Sequence, residues 1–370
     1  MFQETVQRVI LHETKPQPKP LSPTSITRGY EKFAFPKVVR QLTDENVVVR
    51  KRCLVASREL LAAPECRVQC FECGLVTALL DCLAHEDVAI QKLAAQNFAY
   101  LCTDAAGCEI LLEQRPPQTK NAIKALLDAT KGGVVETELA CFTSLLDAAK
   151  KEIVRAYLLG SQKSLSQLLD QSRDENAVKA TAALRLLHTI LKGRNNEEAI
   201  EFLIDMGAVD VLWTTLDSDD ADVKQATAML LAFLAVPYKG KELIISKGFI
   251  TELVEMSGLG STVETQYAAS SCLMALVIAN SGKSAINEED HELLKGSLNN
   301  LLGSKEESII MNALQIITAI AEHGAIRKSL QGFQKHLKHL ADSSLPYYVK
   351  YHISQAVRQL SFTNLPHTTL

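Results

Sequence analysis

Three cysteines in the first quarter of the chain have a spacing that could hold a metal cluster. Cys66, Cys70 and Cys73 form C-x3-C-x2-C, and three thiolates in such a loop can bind a [4Fe–4S] cluster. Residues three and four apart also lie on one stripe of a helix. No nearby segment shows the alternating strands that enzymes with this loop require. We therefore expect a buried helix stripe and no metal.

Two further segments match incomplete chemical motifs. Residues 281–284, Ser-Gly-Lys-Ser, match the end of a phosphate-binding loop, but Val277 stands where its first glycine is needed. We expect a plain turn between helices there. His336 and His339 could share zinc, yet no third ligand is placed, so we expect both on a solvated helix face. A nucleophile elbow, H-E-x-x-H, GxGxxG and an EF-hand loop are all absent from the sequence. The sequence predicts no catalytic residue, no cofactor and no small-molecule substrate.

Composition limits the kinds of partner. The net charge is −4 and the pI about 6.2, whereas nucleic-acid binders depend on a basic surface. The basic cluster of residues 50–52 fits a solvated helix face. The longest apolar run, residues 229–236, is far below the ~18 residues that indicate a membrane span. With nine cysteines in no even disulfide pattern and no signal peptide, we expect an intracellular protein without nucleic-acid or membrane partners.

From residue 30 onward the sequence repeats itself about eight times. Each segment opens with a polar cluster suited to a helix N-cap and continues as an apolar helical pattern with a small residue about two turns in. Successive small residues are 40 to 46 positions apart, the period of armadillo and HEAT units. They are Cys53, Ala94, Ala140, Ala183, Ala228, Ala268 and Ala313.

Glycines divide each unit further. One series is Gly107, Gly240, Gly282 and Gly324, and a second is Gly74, Gly207 and Gly248. We interpret both series as helix C-termini, which gives three helices per unit, the armadillo layout. The prediction is an all-α, right-handed armadillo/HEAT-type solenoid of about eight repeats, with three-helix armadillo units favoured. Pro116 and Pro117 interrupt the third repeat, which lacks its glycine, so we expect that repeat to be degenerate, with a bend or an insertion.

The two ends of the chain differ from the repeats. Residues 1–29 form a predicted arm, because proline stands at nearly every second position between residues 15 and 23 and favours an extended chain. Before the prolines, four apolar residues share one helical face, and a helix this short cannot stand alone in water. It is either disordered or docked on a partner. The solenoid is predicted over residues 30–362 and a tail over 363–370. The four residues are Phe2, Val6, Val9 and Ile10.

The last helix of each repeat lines the concave groove of an armadillo protein. In importin-α and β-catenin this helix carries a ladder of asparagines that bind a peptide backbone. The aligned position here has no asparagine, so we expect a protein-binding groove that is not a sequence-tolerant peptide cradle. The aligned residues are Glu59, Tyr100, His188, Phe233 and Met274, of which the last four, with the apolar residues of the arm, are the predicted partner-binding residues.

The first repeat carries a more specific pattern. Its residues are Tyr30, Pro36, Leu42, Arg50-Lys51-Arg52-Cys53-Leu54, Leu60 and Pro64-Glu65-Cys66, and residues 244–250 add a second patch. This pattern resembles the armadillo family of ciliary radial spokes. The long proline-rich start, the irregular third repeat, Cys70 and Cys73 depart from it.

The resemblance implies a non-catalytic scaffold subunit of the radial spoke, bound to several spoke proteins in the axoneme of a cilium or flagellum. The alternative is a soluble armadillo adaptor or transport receptor that binds a cargo segment in its concave groove.

Overall fold

The computed structural model describes residues 33–113, 121–288, 291–342 and 344–362. Within these ranges the chain forms 23 α-helices and no strand. The residues Phe2, Val6, Val9 and Ile10, the predicted arm 1–29, Pro116, Pro117 and the predicted tail 363–370 lie outside the described residues.

Eight long helices, one per repeat, are the recurring element of the fold. Consecutive long helices pack against one another, and each long helix packs against the short helix that precedes it. They are α2 (Val47–Leu61), α5 (Val88–Leu101), α8 (Val135–Ala149), α11 (Ala177–Leu191), α14 (Ala221–Leu234), α17 (Val263–Leu276), α20 (Glu307–Ile320) and α23 (Tyr347–Leu360).

Short helices connect the long ones. One of them, α1 (Ala34–Leu42), precedes α2, and a pair stands before every later long helix. The pairs are α3 (Pro64–Glu72) and α4 (Leu75–Leu83), α6 (Ala105–Leu112) and α7 (Ala122–Ala129), α9 (Glu152–Leu159) and α10 (Gln162–Gln171), α12 (Glu197–Asp205) and α13 (Ala208–Leu216), α15 (Tyr238–Ser246) and α16 (Phe249–Met256), α18 (Asn280–Glu288) and α19 (His291–Leu302), and α21 (Gly324–Ser329) and α22 (Phe333–Ala341). The predicted three-helix unit is confirmed.

Polar side chains cap five of the eight long helices where the sequence predicts, and the other three have no side-chain cap. The side chain of Asn46 accepts a hydrogen bond from the backbone N–H of Val48 at 2.9 Å, and that of Asp87 accepts one from Ala89 at 2.9 Å. Such caps satisfy backbone donors that have no partner inside the helix. Asn176, Asp220 and Thr262 cap α11, α14 and α17 in the same way.

The small residues lie where the helices of neighbouring units pack together. Six of the seven predicted positions are buried in one continuous core, because a small side chain lets two helices approach closely. Ala140 is the exception. It is half-buried, and Cys141 takes the buried place. The cause is that α8 begins at Val135, one residue later than the pattern suggests, which shifts its buried stripe by one position.

The two glycine series have different roles. Gly74, Gly207 and Gly248 adopt φ of 79° to 82° between the two short helices, so the prediction of a helix C-terminus is correct there. It is wrong for the other series, since Gly240 lies inside α15. A Cβ atom on Gly240 would overlap the carbonyl oxygen of Leu234, the last residue of the preceding long helix. Gly107 and Gly282 stand in the same relation to Leu101 and Leu276, whereas Gly324 has room for a Cβ.

Arginine occupies the corresponding place in three other units. Arg67 donates a hydrogen bond to the carbonyl of Leu61 at 2.7 Å, and Arg155 donates to that of Ala149 at 3.1 Å. Arg327 donates to the carbonyl of Ala321, which follows α20, at 3.1 Å. The ends of these six long helices are therefore covered either by close backbone packing on a glycine or by a guanidinium that satisfies carbonyls there.

The third repeat is more regular than expected. It retains all three helices, α6, α7 and α8, so the prediction of a degenerate repeat is wrong in that respect. Residues 113–121 connect α6 to α7, whereas two or three residues make this connection in the other units. The irregularity is an insertion in a connection and leaves the stacking of the helices unchanged.

Candidate protein-binding surface

Ion pairs cross from one long helix to the next along their exposed side. Lys51 lies 2.8 Å from Asp87, which caps α5, and Lys92 on α5 lies 2.6 Å from Glu136 on α8. Arg185 on α11 lies 2.8 Å from Asp222 on α14. Exposed pairs of this kind add little stability, about 0–1 kcal/mol each. They matter for the charge of the surface, because the paired positive and negative groups leave no continuous stripe of a single sign.

The first cavity on this surface lies beside α2, α5 and α8. Its volume is about 640 Å³, and Tyr100 forms part of its wall. Arg58 donates a hydrogen bond to Gln96 across the α2–α5 boundary at 3.4 Å. Two cationic and two anionic residues line the cavity, so it is electrically balanced. They are Arg58, Lys92, Glu136 and Asp147.

A second, smaller cavity lies beside α11, α14 and α17. Its volume is about 220 Å³, and its walls include His188 and Phe233, whose ring centroids are 5.4 Å apart. Burial, followed by the positive charge of Lys192, lowers the pKa of His188 from 6.5 to about 4. The imidazole is therefore neutral at physiological pH, and the cavity wall is mainly apolar.

Exposed apolar side chains lie in the wall of the second cavity and at the equivalent place in the next unit. Val236, which follows α14, is 61 % exposed and forms part of the wall together with Tyr267. Ile278 holds the equivalent place after α17 and is 64 % exposed. A concave apolar surface with exposed apolar rims is typical of a site that another protein covers.

The predicted groove residues fall into three places. Tyr100 lines the first cavity, and His188 and Phe233 meet in the second. Met274 is half-buried against the core and lines neither cavity, while Glu59 is exposed on α2.

Sequence reasoning missed other residues that line the cavities. Gln96 and Thr143 stand at the same step of α5 and α8 and share the first cavity. Lys192, Val236 and Tyr267 line the second. They could have been found by comparing equivalent positions of neighbouring units, because residues about 40 apart in the sequence lie side by side in stacked repeats.

The three-cysteine stripe is only partly buried. Cys70 lies in the core, and burial, aided by the neighbouring thiols Cys66 and Cys73, raises the pKa of its thiol to about 12. Cys66 and Cys73 are half-buried, so the prediction of a fully buried stripe is wrong for these two. Among the residues that the structure describes, no three histidines, cysteines or carboxylates are placed to hold a metal ion.

The other two motifs are elements of the fold. His336 and His339 are exposed on α22, as predicted. Residues 281–284 lie within α18. The predicted turn is therefore wrong, and a helix interior is equally unlike a phosphate-binding loop.

None of the helices in the described ranges combines the length and apolar character that crossing a bilayer requires.

The relatives of this chain decide its family. No family profile matches it. Over 380 aligned residues it is 30 % identical to radial spoke protein 14 of Chlamydomonas reinhardtii, and the match covers 100 % of this chain and 96 % of the relative. The chain belongs to the radial spoke protein 14 family. The resemblance expected from the first repeat is confirmed over the whole length.

Solved structures agree with the fold of this radial spoke protein 14 homologue. An engineered protein superposes with a TM-score of 0.62 at 21 % identity and covers 90 % of this chain, with 89 % of its own length matched. A designed armadillo repeat protein in complex with the peptide (KR)4 gives a TM-score of 0.56 at 20 % identity, over 65 % of this chain and 99 % of its own. The armadillo solenoid is thus confirmed. Family and fold together indicate a structural, protein-binding role.

Proposed function

We propose that this protein is a non-catalytic scaffold subunit of the radial spoke in the axoneme of cilia or flagella. The observation that carries the proposal is the match to radial spoke protein 14 along the entire chain. The fold supports it physically, because stacked repeats present a long surface on which several proteins can dock side by side.

Two cavities on the long-helix side give the scaffold two separate candidate binding places. The first is lined by charged residues of both signs, which balance, and the second by mainly apolar residues and a single lysine. The first lies beside α2, α5 and α8 and the second beside α11, α14 and α17. Because these helices differ, two partners could be held at once. Tyr100, His188 and Phe233 are the predicted residues that line them. Met274 and the arm residues Phe2, Val6, Val9 and Ile10 remain predictions.

The alternative is a soluble adaptor that releases its cargo. A reversible peptide cradle needs hydrogen-bonding side chains repeated along the groove. Here the asparagine nearest to that position, Asn97, is fully buried and its amide is bonded inside the stack. This observation favours a fixed scaffold over the adaptor.

The test uses flagellated cells that lack their own copy of the protein and express this chain with a tag. After detergent extraction the tagged chain should remain with the axonemes, and in-place imaging should locate it at radial spokes. A double variant, Tyr100→Ala with Phe233→Ala, should reduce retention. His336→Ala, at an exposed site far along the chain, is the control. Recovery of the unaltered chain wholly in the detergent-soluble fraction would overturn the proposal and favour the adaptor.

A further inference from the structure

The second cavity carries a single formal charge. Its wall contains Lys192 but no carboxylate, and Lys192 makes no ion pair within the described ranges. The last carbonyl of α11, which a nearby cation would otherwise attract, already accepts a hydrogen bond from the amide of Asn196 at 2.6 Å. The ammonium group at this rim is therefore available to an anion.

The first cavity shows the opposite condition. Lys92 is paired with Glu136 at 2.6 Å, and Arg58 is bonded to Gln96. Of these two cavities, the second is the one whose charge is unbalanced, beside a mainly apolar wall. An apolar pocket with a charged rim is the usual anatomy of an anchor site, in which one large side chain is buried and a neighbouring polar group fixes its orientation.

We propose that the cavity formed by His188, Phe233, Val236 and Tyr267 receives a bulky apolar side chain of a partner protein, and that an aspartate or glutamate of the same segment pairs with Lys192. This inference rests on the proposed scaffold function, since it presumes a protein partner on the long-helix side. It adds the chemistry of the partner's segment, in which an apolar anchor residue and an acidic residue stand close together in sequence.

Neutrality of the imidazole supports this assignment. Burial keeps His188 uncharged at physiological pH, so its ring adds an apolar wall and no second cation. The Phe233 ring packs against this ring at a tilt, with an interplanar angle of 60°. The anchor is thus offered two aromatic surfaces, against which an aromatic anchor can pack offset or edge-to-face.

The experiment selects random nonapeptides, displayed on phage, against the purified full-length chain. Enriched peptides should contain Phe, Leu, Ile, Met or Trp within three positions of Asp or Glu. The consensus peptide is then titrated by fluorescence polarisation. We expect Val236→Ser and Lys192→Glu each to weaken binding at least about tenfold, which corresponds to about 1.4 kcal/mol. A peptide with lysine in place of its acid should bind Lys192→Glu better than the unaltered chain.

Gln96→Ala, in the first cavity, is the matched control and should leave the affinity unchanged. Circular dichroism confirms that each variant is folded. Val236 is mostly exposed, so its substitution tests the site without disturbing the core.

Several outcomes would overturn the proposal. They are the absence of an enriched sequence, enrichment of basic or wholly polar peptides, loss of binding through Gln96→Ala, and failure of the charge exchange. Dimerisation that Val236→Ser abolishes would assign the cavity to a second copy. Tighter peptide binding by a full-length Val9→Asp, Ile10→Asp variant would assign it to the chain's own N-terminal segment. Because the assay needs no axoneme, its failure is distinguishable from failure of the radial spoke proposal.

Discussion

Ser57 on α2 donates a hydrogen bond to Oδ1 of Asn97 on α5, with 2.8 Å between the oxygen atoms. The Asn97 amide nitrogen donates to the carbonyls of Leu54 at 3.0 Å and Leu93 at 2.8 Å, and the residue is fully buried. An asparagine on a long helix is thus used to join two repeats.

Replacing Asn97 with leucine should therefore destabilise the first repeats. The substitution removes three hydrogen bonds from a buried site, and we expect the free energy of unfolding to fall by about 1–3 kcal/mol. Urea denaturation followed by circular dichroism measures this. The control is Gln96→Leu on the half-buried neighbour, for which a change below about 1 kcal/mol is expected. Equal effects of the two substitutions would contradict the joining role of Asn97.

Gly240→Ala tests the close approach of α15 to the end of α14. The added methyl would overlap the Leu234 carbonyl and crowd Ile204, so we expect a loss of about 1–3 kcal/mol. Gly296→Ala, inside α19, meets no atom within 4 Å and should stabilise the protein by roughly 0.5–1 kcal/mol because alanine favours a helix. Thermal unfolding of both variants is the measurement. A stabilised Gly240→Ala protein would refute the packing argument.

A buried ion pair joins the third and fourth units. The carboxylate of Glu138 is almost fully buried, lies 2.8 Å from Lys179 and accepts a hydrogen bond from the Gly133 N–H at 2.8 Å. Lys179→Met should cost about 3–5 kcal/mol, because the carboxylate is left without its cation. Adding Glu138→Gln removes that charge and keeps the acceptor, so the double variant should recover most of the loss in urea titrations. Lys179 also lies 2.7 Å from Asp174, so a double variant as unstable as the single one would show that the loss does not come from the unpaired Glu138 charge.

His188 should make stability depend on pH. Its pKa is about 4 in the folded protein against 6.5 for an ordinary histidine, so between these values the unfolded chain binds a proton that the folded chain does not. The contribution of His188 to the free energy of unfolding is therefore fully present above pH 6.5. It falls by about 3 kcal/mol at most as the pH drops towards 4. His188→Leu should remove this dependence. Denaturation of both proteins at half-unit pH steps measures it, and parallel curves would exclude His188 as the source.

The repeat could be found from the sequence because it is a local property. Each unit must bury its own apolar face against the next. Small residues, helix caps and glycines with positive φ therefore recur at a regular spacing along the chain. Asp87 and Asn176 cap helices through backbone groups two residues away. Gly74 and Gly207 end helices by their own φ angles. Such interactions involve near neighbours and leave a visible pattern of residue types.

Only the tertiary structure decided which of these residues face one another. His188 and Phe233 are 45 positions apart and share a wall because two long helices pack side by side at equivalent depth. The same packing turned Asn97 inward and placed Gly240 against the carbonyl of Leu234. These outcomes depend on distances of a few ångströms between units, which follow from the fit of many side chains at once. A residue pattern along one helix does not contain them.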